Sequence, residues 1–391
     1  MTLPRSLYLH IPFCRHRCAY CDFNTYAGKE ASIPAYVEAL CREVAVVARS
    51  APARLAVETI FFGGGTPSLL APERLGRVLD VIRAETDLAE EAEVSLEANP
   101  GTVSRQGMQG LRRAGFNRIS LGVQSSHAEE LRQLERIHDF PDVIRAVAWA
   151  RTAGFGNLNL DLIFGLPEQT LPRWQTTLQR AVDLQPEHLS LYALTIEHGT
   201  LFGHWLRRGL LPVPDADLAA EMYEWAGEYL ESCGYRQYEI SNWSRPGEEC
   251  RHNLTYWHNL PYLGFGAGAH GSVADFRVAN ILRIQSYLER MEARAAEVLF
   301  PFSPAAVNRQ HIAPRVAMQE TMMLGLRLTR EGVARSAFRQ RFDREMSDEF
   351  STEIAELTRL GLLEWADEDR LRLTVRGRLL GNQAFLRFVD G

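Results

Sequence analysis

SLYLHIPFCRHRCAYCDF, residues 6–23, decides how the rest of the chain is read. Ser6 to Ile11 is a short apolar, β-prone run that feeds directly into a loop carrying Cys14, Cys18 and Cys21. Six cysteines in 391 residues are too sparse for a disulfide scaffold, and three of them fall within eight positions here. That clustering points to metal or redox chemistry in a reducing compartment. Cluster iron prefers thiolate, and a four-iron cube normally takes four ligands. Three close cysteines without a nearby fourth therefore leave one iron open to a chelating cofactor. The alternative is a zinc ion completed by His10 or His16, although structural zinc sites usually pair their ligands in two separated clips, which this segment lacks.

Working outward, further strand-like runs lie at residues 59–62, 93–97, 118–123, 157–164 and 188–193. Amphipathic helical patterns separate them at 33–49, 72–85, 103–114, 128–134, 140–153 and 171–184. Several helix entries carry Ser, Thr, Asp or Pro, and Gly115 and Gly154 mark exits. Strand and helix alternating in this way predict an α/β unit with a parallel sheet, as an open sheet or a barrel. In both, ligands gather beyond the C-terminal ends of the strands. The chemistry-bearing residues recur there: the cysteines follow the first run, Gly63 to Pro67 the second, Glu97 to Pro100 end the third, Gln124 ends the fourth, and Asp161 and Gly165 come late in the fifth.

Beyond about residue 215 the pattern changes. A helix is expected over 217–233, a short aromatic strand over 235–243, and a loop-rich stretch over 246–271, dense in His, Trp, Tyr and Gly. The end of the chain reads as a small helical unit with a β-hairpin, in the manner of a winged helix. The expected domains are a core of residues 1–235, a connecting α+β segment of 236–305 and a C-terminal winged-helix-like domain of 306–391. Hydrophobic residues make up 46 % and charged residues 24 %, as in ordinary globular proteins, and the net charge of -6 carries no footprint for nucleic acid. No apolar run approaches the roughly eighteen residues of a membrane span, and no secretory signal is evident, so the expected location is cytoplasmic.

The Cys-x3-Cys-x-Tyr-Cys pattern of Cys14, Cys18, Tyr20 and Cys21 resembles the signature of the radical-SAM superfamily. Tyr8 to Cys14, the GGGTPS at 63–68 and the long match downstream resemble, more narrowly, the oxygen-independent coproporphyrinogen III dehydrogenases and their HemW-type relatives. The resemblance implies a partial parallel (β/α)6 barrel, a 4Fe-4S cluster on Cys14, Cys18 and Cys21, and S-adenosyl-L-methionine on the open iron. It also implies the cofactor contacts Tyr8, Gly64, Gly65, Thr66, Glu97, Gln124, Arg136, Asp161 and Ala193. Arg136 suits the methionine carboxylate, because a guanidinium grips a carboxylate in a forked pair. The individual roles of Glu97, Gln124 and Asp161 stay open.

Two features separate the relatives. The dehydrogenase branch carries a further Cys two positions after the third ligand, where this chain has Phe23, and a longer lead before the cluster than the thirteen residues here. Residues 252–257 read HNLTYW and match the HNxxYW motif that the HemW-type family associates with haem. By that resemblance His252, Asn253, Tyr256 and Trp257 form a haem site, with Cys250, His258 and His270 as other possible axial ligands. Read without the resemblance, the same residues are a loop in which His252 and Asn253 bond backbone while Tyr256 and Trp257 act as apolar plugs. For Cys41 and Cys233 a small buried residue in a helix is the expected role. The expectation is a haem chaperone passing haem to acceptor proteins, the alternative a coproporphyrinogen III dehydrogenase of porphyrin biosynthesis. Further expected partners are a reductant for the cluster but no nucleic acid; transient contact with a membrane protein, a homodimer, and whether the chain is an enzyme at all stay open.

Overall fold

The computed structural model describes residues 2–293 and 298–389. The chain forms two compact units: one of the residues up to Tyr229 together with Pro261–Gln310, the other of Leu230–Leu260 together with the residues from His311 onward. The segment 236–305, read above as a connector, is thus divided between them at Leu260.

The first unit is built on β1 (Ser6–Ile11), β2 (Ala56–Gly64), β3 (Asp87–Ala98), β4 (Arg118–Gln124), β5 (Asn157–Phe164) and β6 (His188–Ala193), each parallel to the next. Between them run α1 (Ile33–Ser50), α2 (Pro72–Glu85), α3 (Arg105–Ala114), α4 (Ala128–Gln133), α5 (Phe140–Ala153) and α6 (Leu171–Asp183). The free side of β1 pairs in parallel with β7 (Tyr262–Phe265), which continues antiparallel into β8 (His270–Val273) and β9 (Phe276–Asn280). Since β1 is flanked by β2 and β7, it does not close onto β6, and the barrel is partial. The partial parallel (β/α)6 barrel is the expected fold.

The helices form where the sequence caps them. Ser104 accepts from the Gly107 N–H at the start of α3, and Asp139 and Asp142 form a reciprocal capping box on α5. Gly115 and Gly154 end those helices in the left-handed region. Each helix turns a stripe inward; α2 buries Leu75, Val78, Leu79 and Ile82, each contributing about 1.5–3 kcal/mol of transfer free energy. Two strands outrun their apolar signals, β2 beginning at Ala56 and β3 at Asp87, because these polar ends still pair with each other (Ala56 opposite Asp87).

In the second unit, strands Arg236–Glu239 and Asn242–Ser244 pair antiparallel, so the single strand expected over 235–243 is a tight hairpin. A three-stranded sheet of Val333–Ala334, Arg370–Leu373 and Leu363–Trp365 packs with helices around Met322, Phe338, Phe350, Leu371 and Phe388, the winged-helix-like arrangement expected. Among the described residues, no helix is long and apolar enough to cross a membrane.

Candidate active site

At the C-terminal ends of β1 to β6 lies a cavity of about 370 Å³. Cys14, Cys18 and Cys21 line it, together with Gly64, Gly65, Thr66, Glu97, Gln124, Arg136, Asp161 and Ala193. Eight of the nine expected cofactor contacts therefore share one space with all three expected cluster ligands. Tyr8 is not among the lining residues; its ring stacks on Phe61 and its hydroxyl lies 3.0 Å from His10 Nδ1.

The cysteine loop is held from β1 and from its own ends. His10 Nε2 lies 2.9 Å from the Asn24 carbonyl, and Asn24 Nδ2 donates to the carbonyls of Ala267 and Leu282. Both ring nitrogens of His10 are engaged in this way, and His16 meets Glu135 at 3.0 Å. The two histidines of the zinc alternative are thus occupied elsewhere. Burial pushes the Cys14 and Cys21 thiols up. Their thiolates are therefore costly unless a metal takes the charge. The donor set fits a cluster whose irons are ligated one by one.

The glycines after β2 have a packing reason as well. Gly64 has φ +111°, and a Cβ there would stand 2.4 Å from the His10 ring; one on Gly65 would stand 2.6 Å from the Phe13 carbonyl. Gly65 and Thr66 donate their N–H groups to the Ile11 and Phe13 carbonyls, so this turn is pressed against the start of the cysteine loop. Thr66 Oγ1 comes within 3.6 Å of Cys14 Sγ.

Arg136, just beyond α4, donates to the Gly122 carbonyl at 2.6 Å and lies 3.4 Å from Cys18 Sγ. Its Nε is buried without a partner among the described residues, the kind of donor an anionic group satisfies. At this point β4 carries an irregularity between Gly122 and Gln124, and Gln124 takes φ +68°. Sequence reasoning missed Gly122, whose missing Cβ leaves room for Arg136 Nη2 (3.0 Å from the built position), and missed Ser120 on the cavity wall, where Tyr20 of the cysteine signature also lies. A glycine near the end of a predicted strand was the available signal for the first.

Glu97 accepts from the Gly64 N–H at 2.9 Å, while burial and then the Asp161 carboxylate push its acid up to about 7. The folded ligand-free protein therefore binds this proton more tightly than the unfolded chain does, so Glu97 subtracts from stability as pH rises from the ordinary carboxylate range through about 7. Thermal melts of Glu97→Gln beside the parent should show the variant gaining over that window, and a pH-independent difference would contradict the assignment.

The haem motif lies in the second unit and is not a loop. Arg251–Trp257 is a helix, α9 after Leu201–Arg207 (α7) and Ala216–Ser232 (α8), and the expected loop-rich stretch also contains β7 and the first half of β8. His252 is fully buried and its Nε2 lies 2.8 Å from Tyr256 Oη one turn on. Trp257 carries the Arg327 guanidinium 4.4 Å from its ring. Asn253 sits half-buried on α9, Cys250 is buried at its N-cap, and His258 meets Glu331 at 3.4 Å. His270 belongs to the first unit, on β8.

Residues 8–181 match the Radical SAM superfamily, and residues 312–380 the HemN C-terminal domain. The chain is similar to the haem chaperone HemW of Bacillus subtilis, at 38 % identity across 98 % of this chain and 99 % of that protein. It is also similar to HemW of Escherichia coli, at 39 % identity across 90 % and 93 %. Among solved structures it resembles the radical-SAM coproporphyrinogen III oxidase HemN of Escherichia coli, with a TM-score of 0.82 and 25 % identity, covering 99 % of this chain and 90 % of that one.

Proposed function

The chain belongs to the HemW family within the radical-SAM superfamily, and on that premise we propose that it is a haem chaperone that carries a 4Fe-4S cluster and S-adenosylmethionine, binds haem and delivers it to acceptor proteins. The observation that carries the proposal is the one cavity lined by Cys14, Cys18 and Cys21 together with Arg136, Glu97 and Asp161, while Phe23, 61 % exposed, stands where the dehydrogenases have a further Cys. A phenyl ring supplies neither ligation nor redox chemistry.

In this reading Cys14, Cys18 and Cys21 hold the cluster, Arg136 receives the methionine carboxylate, and the backbone at Gly64 to Thr66 lies against the amino end. When bound, the cluster supplies the electron that cleaves the sulfonium. Glu97, Gln124 and Asp161 offer acceptors and an amide to the amino and hydroxyl groups, and Ala193 leaves space at the end of β6. Tyr8 contributes from behind the wall, by holding His10. The cluster's reductant and a cytoplasmic location belong to the same proposal.

Haem binds through the α9 motif, with imidazole as the natural axial ligand and the aromatic rings as apolar walls. Because His252 is buried against Tyr256, its engagement requires this pair to separate. His252→Ala should shift or abolish the Soret band of added haem and leave the cluster absorbance intact. An identical haem spectrum would move the ligand to Cys250, His258 or His270.

A further inference from the structure

Residues 159 and 161 alternate onto the same face of β5, and the neighbouring strands supply polar side chains opposite them. Asp161 lines the cavity, whereas Asn159 and His188 do not. Asn159 is 2 % exposed and His188 fully buried. Asn159 Nδ2 donates to Asp161 Oδ1 at 2.8 Å and to Ser120 Oγ at 2.7 Å. Ser120 in turn donates to Asp161 Oδ2 at 2.7 Å. With its amide nitrogen spent there, Asn159 presents Oδ1 to His188 Nδ1 at 2.6 Å and to the Ser190 hydroxyl at 3.1 Å. Burial, then the nearby Arg118, hold His188 neutral, so the geometry fixes its proton on Nδ1. A neutral buried imidazole, an amide and a serine hydroxyl thus form a directed chain of donors ending on both oxygens of one carboxylate.

We infer that His188 and Asn159 are positioning residues: with Ser120 they fix the orientation of the Asp161 carboxylate so that its remaining lone pairs face the bound cofactor. Glu97, another carboxyl of the cavity, has no such side-chain support among the described residues; its hydrogen bond is from the Gly64 N–H. The two acids are therefore built differently, one braced from beneath and one held only by a strand-end backbone group. Arg118, Arg136 and Tyr20 are the charged or titratable groups that interact electrostatically with Asp161, besides Glu97. The inference rests on the reading that Asp161 contacts S-adenosylmethionine.

The test is calorimetric binding of S-adenosylmethionine to the cluster-reconstituted full chain, with a melt of each ligand-free variant as the folding control. Losing a hydrogen bond to a charged group gives roughly a tenfold loss of affinity, expected for His188→Leu and Asn159→Ala. His188→Asn keeps an N–H close to where Nδ1 stands and should restore affinity to within about threefold of the parent. Ser120→Ala is a small change that tests the same carboxylate should a buried variant fail to fold, and is expected to weaken binding by about fivefold. Parent-like affinity in folded His188→Leu, parent-like affinity in Ser120→Ala, or a His188→Asn variant no better than His188→Leu, overturns the positioning role. Asp161→Asn separates the two levels. If it binds like the parent, the contact itself is wrong and the inference falls with it; if it weakens binding while the His188 and Asn159 variants do not, only the inference falls.

Discussion

Replacing any one of Cys14, Cys18 and Cys21 by Ala should remove essentially all of the brown chromophore and the iron and sulfide of the reconstituted protein. Each thiolate is expected to hold a different iron, and two remaining ligands cannot retain a cube against solvent thiols. The neighbouring histidines and the other cysteines are not placed to substitute. His10 is engaged by Tyr8 and Asn24, His16 by Glu135, and Cys41, Cys233 and Cys250 are not among the residues lining the cavity. Cys14 is 8 % exposed, so Cys14→Ala also loses a little packing, and melts of the metal-free variants distinguish that small effect from loss of the cluster. Iron and sulfide assays check the outcome. Zinc without iron or sulfide in the parent protein would contradict the assignment.

Arg136→Ala should weaken S-adenosylmethionine binding by roughly one to two orders of magnitude, because a hydrogen-bonded charge pair removed from a buried pocket costs about 1.5–3 kcal/mol. The same guanidinium grips the Gly122 carbonyl and lies against Cys18 Sγ, so it braces the irregular end of β4 as well as offering charge. Arg136→Lys keeps the charge but not the planar fork, and is expected to recover only part of the affinity. Unchanged affinity in Arg136→Ala by calorimetry would take the residue out of the site.

The six parallel strands and their helices were legible because apolar runs, caps and Gly exits agreed with one another, and all six strand runs lie within the observed strands and end within two residues of their C-terminal ends. Those ends matter most, since the cavity forms there. Helix α9 was not legible: after Pro246 and Gly247 its seven residues bury only His252 and Thr255, too short a stripe to show a helical period. The buried Glu43 was missed for a different reason. Its position on α1 falls in step with Tyr36, Leu40 and Val47 on the core face, where an acid reads as an interruption. In the structure it takes bonds from the Gly266 N–H, Asn280 and Tyr287, tying α1 to the loop after β7, to β9 and to the helix Ile284–Glu292. Hydrogen-bond partners more than two hundred residues away leave no local pattern. The donor chain behind Asp161 escaped notice likewise, because Asn159, His188 and Ser120 become neighbours only through the register of β4, β5 and β6.

The most direct test of the haem-chaperone assignment is to give the anaerobically reconstituted, reduced protein both haem and coproporphyrinogen III together with S-adenosylmethionine, and to follow the absorption spectrum. The account predicts a bound-haem Soret band superimposed on intact cluster absorbance, with coproporphyrinogen left unconverted. Accumulation of protoporphyrinogen without a bound-haem band would contradict it and make the chain a dehydrogenase.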